Sequence, residues 1–218
     1  MSENSRKVLI ILISLIIATE AIVVLTGWVL EIDALTRFLP AGINMAFSTA
    51  LMFLLSSIGL YFIHIAINKY DFNFSPLVLT IITLLILLIT VTIFFGTLLG
   101  INTGIGNLFF PSGNATLDSS FMAEMPAYSS MIGFIIFALA CGLCQYPGRA
   151  SRIQILALGI IISIIGLLAI VGYLFDFSLL YYKFNNTTIP MAINTAITFV
   201  LLGLCLIIIG TGKNPNEN

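Results

Sequence analysis

Ile189-Pro190-Met191-Ala192-Ile193-Asn194-Thr195-Ala196-Ile197-Thr198-Phe199, preceded by Gly172-Tyr173-Leu174-Phe175, is written a second time near the start of the chain. There Gly27-Trp28-Val29-Leu30 leads to Ile43-Asn44-Met45-Ala46-Phe47-Ser48-Thr49-Ala50-Leu51-Met52-Phe53. A looser copy lies between them, from Gly96-Thr97-Leu98-Leu99 to Met125-Pro126-Ala127-Tyr128-Ser129-Ser130-Met131-Ile132-Gly133-Phe134. Self-similarity at a regular spacing identifies the structural unit. The unit here reads as an apolar helix, an outer loop and a second apolar helix.

Working outward, nearly everything around these copies is apolar. Of the 218 residues, 60% are hydrophobic and 8% charged, and the mean hydropathy is +1.16. Soluble domains carry about 25% charged residues, so the composition excludes a soluble globular domain. A net charge of −1 and the lack of a basic stripe exclude a nucleic-acid partner. The expected class is an all-α integral membrane protein, forming one transmembrane domain over 1–218. Six spans are expected, at 8–30, 43–67, 77–99, 128–144, 153–175 and 189–209, each about the 20 residues a bilayer requires. They pair into three same-direction hairpins, 8–67, 77–144 and 153–209, with 210–218 as a short cytoplasmic tail. The hairpins are compatible with a ring about an axis along the membrane normal or with a row. The first span is too long for a signal-peptide core and reads as a retained anchor.

Lys and Arg favour the cytoplasmic side. Arg6, Lys7, Lys69, Arg149, Arg152 and Lys213 fall on one side, Arg37 and Lys183 on the other with Glu31, Asp33, Asp118, Glu124 and Asp176. The expectation is a multi-pass protein of the cell membrane with both termini cytoplasmic. Small residues mark expected close helix contacts at Ala46 and Ala50, Gly159 and Ser163, and Ala192 and Ala196.

The third copy, continued to Val200-Leu201-Leu202-Gly203, and the middle loop Gly100-Ile101-Asn102-Thr103-Gly104-Ile105-Gly106-Asn107-Leu108-Phe109-Phe110 resemble the N-terminal multi-helix membrane region of prokaryotic sensor proteins. In that family the region precedes PAS domains and a histidine kinase or diguanylate cyclase output. The resemblance implies a sensory input function and a cytoplasmic kinase or cyclase as partner, with the lipid bilayer as solvent and a homo-oligomer as the other association. Copy one departs at Ser48-Thr49-Ala50 and copy two at Ser129-Ser130-Met131. After 209 there is no phosphoacceptor His, ATP-binding segment or cyclase motif, so the likeness extends to the input region alone, whether cut from a longer sensor or free-standing.

The repeated polar pair supplies the candidate ligand-binding residues: Ser48, Thr49, Ser129, Ser130, Asn194 and Thr195. Each pair falls near the outer, N-terminal end of an even-numbered span, where unpaired N–H groups and a partial positive charge are available. Three such ends brought together would suit a carbonyl or carboxylate. The competing role is to hold helices together by hydrogen bonds, as small polar residues often do in lipid. Glu20, near the middle of the first span, is the intramembrane ionisable residue. Placing it there costs about 2.5–3.5 kcal/mol on insertion scales, so it should face the bundle, either as a neutral, hydrogen-bonded structural residue or as a proton-sensing one. Ser56, Ser57 and Thr90 are the expected partners. The matching repeat positions are Ile89 and Ile165, so Glu20 is no part of the repeated design.

His64 reads as an interfacial residue at the inner end of the second span. A lone His excludes a bis-histidine haem within the chain, and neither metal nor cofactor is expected. Cys141, Cys144 and Cys205 read as small apolar residues in helices. Asn114-Ala115-Thr116 and Asn185-Asn186-Thr187 match the glycosylation sequon; in a prokaryotic protein the match carries no weight. Trp28, Tyr61, Tyr173, Tyr181 and Tyr182 fit interfacial aromatic belts. No nucleophile and base fall at one depth, so no enzymatic activity is expected. The leading function is a non-catalytic sensory input module. The alternatives are a small transporter or channel subunit, disfavoured because only the first span holds a charge and none has a mid-depth Gly/Pro break, and a structural or assembly protein.

Overall fold

Long apolar runs without interior proline leave the backbone one way to satisfy its polar groups in lipid, the α-helix. The computed structural model describes residues 3–38, 42–67, 75–99, 126–145, 149–177, 179–182 and 189–212. Lys69, Lys183, Lys213, Asp118, Glu124, the stretch 100–110 and both sequons lie outside the described residues. Among the described residues there are seven helices and no strand: α1 Glu3–Val29, α2 Asp33–Thr36, α3 Phe47–Ile67, α4 Ser75–Leu99, α5 Tyr128–Leu143, α6 Arg149–Leu174 and α7 Ile193–Gly210.

Five of these helices are long and apolar enough to cross a membrane: Glu3–Val29, Phe47–Ala66, Ser75–Leu99, Ala150–Leu174 and Ile193–Gly210. The fourth expected span is shorter. With 16 residues, α5 is about 24 Å long, below the roughly 30 Å of a hydrocarbon core. Hydroxyls inside the helices bond to carbonyls one turn back, as Thr19 does to Leu15, Thr83 to Leu79 and Thr92 to Leu88. Back-bonding of this kind keeps a threonine paired in a lipid-facing helix.

Two helices start later than the apolar runs suggest. α3 begins at Phe47 rather than 43, and α7 at Ile193 rather than 189. The preceding segments are non-helical because their backbone bonds are taken by the loop before them. The Met45 N–H donates to the Thr36 carbonyl (2.9 Å), and the Met191 N–H to the Tyr181 carbonyl (3.1 Å).

Packing runs in sequence order and then closes. α1 lies against α3, α3 against α4, α4 against α5, α5 against α6, α6 against α7, and α7 returns to α1. α3 also touches α5 and α7. Buried positions make up 56% of the spanning windows of α3 and α7, against 33%, 28% and 39% for α1, α4 and α6. α3 and α7 are therefore inner helices, and α1, α4 and α6 outer ones. At the centre Phe53 of α3, Phe134 of α5 and Phe199 of α7 are fully buried. Their ring centroids are 4.9, 4.9 and 5.0 Å apart, which is contact distance for edge-on and tilted aromatic pairs. The α6–α7 contact is tightest, with the Gly203 backbone against Gly159 and Ser163, and Gly166 against Ala196. Close approach of this kind needs small residues on both sides.

The outward faces carry large apolar side chains, among them Leu84, Leu88, Ile153 and Leu167, all exposed. A surface so apolar over several helices fits lipid rather than water.

Candidate functional site

The C-terminal ends of α1 and α6 turn in the same way. After α1, the Ile32 N–H bonds to the Gly27 carbonyl at 2.8 Å; after α6, the Phe177 N–H bonds to the Gly172 carbonyl at 2.8 Å. Glu31 (φ 55°) and Asp176 (φ 52°) hold the left-handed position of the two turns. A Cβ on Gly27 would lie 2.7 Å from Leu35 Cβ, and one on Gly172 would lie 2.8 Å from Leu180 Cβ. Glycine is therefore required where each chain folds back on its helix.

The aromatic residue after each glycine then ties down the next helix start. Trp28 Nε1 donates to the Met45 carbonyl at 2.8 Å, and the Tyr173 hydroxyl to the Met191 carbonyl at 2.7 Å. Both residues present a ring to the bundle and a polar tip to the backbone, the arrangement buried Tyr and Trp require. They are structural ties between the end of one helix and the start of the next.

Beyond those carbonyls come the polar pairs. All six residues are buried. Thr49, Ser130 and Thr195, the second member of each pair, line one cavity together with Asn44 and the extended residues at each helix start. One turn below, at i+4, stand Phe53, Phe134 and Phe199. The cavity measures about 10 Å³, room for roughly one water. The first members do not line it. Among the described residues, Ser48 Oγ, Ser129 Oγ and Asn194 Oδ1 are buried without a hydrogen-bond partner.

Asn194 belongs to a second group. Its Nδ2 donates to the Thr36 carbonyl at 3.3 Å, joining α7 to the outer turn after α1. Thr198 Oγ1, one turn further in, lies 2.8 Å from the Asn194 carbonyl and 2.6 Å from Glu20 Oε2. A threonine hydroxyl has a single proton. When that proton goes to the carbonyl, the short contact to Glu20 is a hydrogen bond only if the carboxyl donates. Both contacts are satisfied together by a protonated Glu20.

The expected partners of Glu20 are thus corrected. Thr90 lies against Met52 Sδ at 3.0 Å, Ser57 Oγ donates to the Leu54 carbonyl, and Ser56 Oγ has no partner. The partner is Thr198, 178 residues away, because α7 closes back onto α1. His64 is 2% exposed, packed inside the bundle at the end of α3, near the charged groups Glu3, Arg6, Lys7 and Arg152. Cys141, Cys144 and Cys205 are free and buried, Cys141 and Cys205 within helices and Cys144 just past the end of α5.

These elements define an all-helical, membrane-associated protein with buried polar groups at the N-terminal starts of three helices and one carboxyl deeper in the bundle. Comparison with family models, curated proteins and solved structures finds no match to the chain.

Proposed function

We propose that the chain is a non-catalytic sensory input module of the cell membrane. It is built of three same-direction hairpins about a common axis, with both termini cytoplasmic. The observation that carries this reading is the convergence of Thr49, Ser130 and Thr195 on one cavity, directly above the Phe53–Phe134–Phe199 cluster. A change at the outer helix starts is passed to packed rings and rigid helices, and so reaches the inner ends. There the Arg6 and Arg152 side chains lie against the backbone of Gly212. A stimulus acts on such a bundle only by favouring one packing over another. The likeness to sensor membrane regions makes a kinase or cyclase the partner at the inner face. The three rings fill the centre, which weighs against a channel along the axis.

Spin labels at Val8 and Thr211, both exposed near the inner ends, test the reading in nanodiscs. Enlarging the outer cavity lining by Thr195→Met should shift the distance distribution between the labels. An unchanged distribution in a folded variant would mean that outer and inner ends are uncoupled. Ion or solute flux in proteoliposomes would move the protein to the transporter class.

A further inference from the structure

Along the lipid-facing side of α1 runs a cavity of about 650 Å³, separate from the small one above the phenyl rings. It extends from Leu12 to Val24 on α1, about 18 Å of helix at 1.5 Å per residue. Arg37 and Phe38, after α2, close its outer end. Leu12, Ile16 and Val23 form its walls, and their exposure of 53%, 45% and 40% shows that it opens sideways, where lipid would stand. The volume falls within the range of small-molecule sites, which are mostly apolar with a few polar groups that fix orientation.

Two polar residues line its depth: Glu20 from α1 and Asn194 from α7. Asn194 is 2% exposed, and its Oδ1 has no hydrogen-bond partner; neither has Glu20 Oε1. Several polar atoms near them are engaged. Asn194 Nδ2 bonds to the Thr36 carbonyl, Thr19 Oγ1 to the Leu15 carbonyl, and Glu20 Oε2 to Thr198. Arg37 is paired with Asp33 at 3.6 Å. The cavity is therefore an apolar trough, and two acceptors without a partner among the described residues are buried in the side chains that line it. Buried acceptors of this kind are costly unless a donor reaches them.

We infer that this cavity binds a neutral amphiphile from the bilayer, an apolar chain whose head donates two hydrogen bonds, one to Glu20 Oε1 and one to Asn194 Oδ1. Quinols and hydroxyl-headed lipids share that chemistry. The chain lies in the trough between Leu12 and Val23, and the head meets the two acceptors. A quinone of the same skeleton has acceptors only and leaves both protein oxygens unpaired. Sites built to pair a hydroxyl discriminate strongly against analogues that lack it. The binding chemistry stands apart from the sensory proposal. If both hold, the input module reports the reduced fraction of a lipid-soluble carrier or the abundance of a hydroxyl lipid.

The test uses the full chain in nanodiscs and saturation binding of three labelled probes: a decyl hydroquinone, the matching quinone and a monoacylglycerol. The expected result is that at least one hydroxyl probe binds ten-fold or more tightly than the quinone. Which hydroxyl probe binds identifies the source. Glu20→Gln keeps a side-chain carbonyl at Oε1 and should hold affinity within about three-fold; Glu20→Leu should lower it ten-fold or more. Ile16→Trp, a change on the exposed wall, fills the trough without touching the core and should abolish binding. It remains decisive if Glu20→Leu does not fold. Quinone binding as tight as that of both hydroxyl probes, no binding of either hydroxyl probe, or binding unaffected by Ile16→Trp would each overturn the inference.

Discussion

Gly203→Ala should be among the most damaging single-methyl additions to this protein, although it replaces a poor helix former by the best one. A Cβ at this position of α7 would stand 2.5 Å from the Gly159 carbonyl oxygen and 2.6 Å from the Ser163 backbone nitrogen of α6, and closer still to Ser163 Oγ. Ordinary Cβ contacts begin at 3.4 Å, so the two backbones must part by roughly 0.9 Å. The obstructing atoms are mostly main chain, so no rotamer change relieves them. A gap of 0.5–1 Å forfeits about a quarter to a half of each van der Waals contact it opens. The cost should reach the upper end of the overpacking range, about 3 kcal/mol. Against it stands a propensity gain of about 1 kcal/mol for replacing a helical glycine by alanine. The net loss should be about 2 kcal/mol. Gly142→Ala in α5 is the control: its Cβ would meet nothing within 4 Å, so only the gain remains. Unfolding of both variants in mixed micelles with rising SDS fraction, followed by circular dichroism, gives the difference, expected to be about 3 kcal/mol. Equal midpoints for the two variants would refute the α6–α7 contact as described.

The Glu20–Thr198 contact predicts a selective sensitivity. Thr198→Val should cost about 1–3 kcal/mol by leaving a buried carboxyl without its partner, whereas Glu20→Gln, which still donates to Thr198 Oγ1, should unfold within about 0.5 kcal/mol of the parent; equal losses in the two would refute the protonated carboxyl. Trp28→Phe and Tyr173→Phe each remove the donor to a methionine carbonyl and should cost alike, about 1 kcal/mol each; a cost in one alone would show that the two outer turns are not energetically equivalent. Alkaline phosphatase and a fluorescent protein, fused separately after Lys213, should give a bright fluorophore and an inactive phosphatase, and the reverse pattern would invert every outer and inner assignment.

What the sequence made legible was set by local physics. Apolar runs without interior proline marked each long helix, because lipid leaves the backbone no alternative, while the short α2 carried no such run. The recurrence of glycine–aromatic and Met-x-x-polar-polar marked the turns that Trp28 and Tyr173 tie down. The true starts at Phe47 and Ile193 were hidden, because hydropathy does not change where the backbone leaves the helix. The missing signal was the pairing of Met45 with Thr36 and Met191 with Tyr181, which depends on how the preceding loop folds. Thr198 was hidden for a longer-range reason. Its partnership with Glu20 exists only because α7 packs back on α1, and a chain laid out as a row of hairpins would have left the two apart. Glu20 has no counterpart at Ile89 or Ile165, and the seam between first and last helices is where a carboxyl, an amide and the turn after α1 come together. The symmetric features of the sequence describe the scaffold, and the asymmetric residue points to the one place where the scaffold is joined to itself.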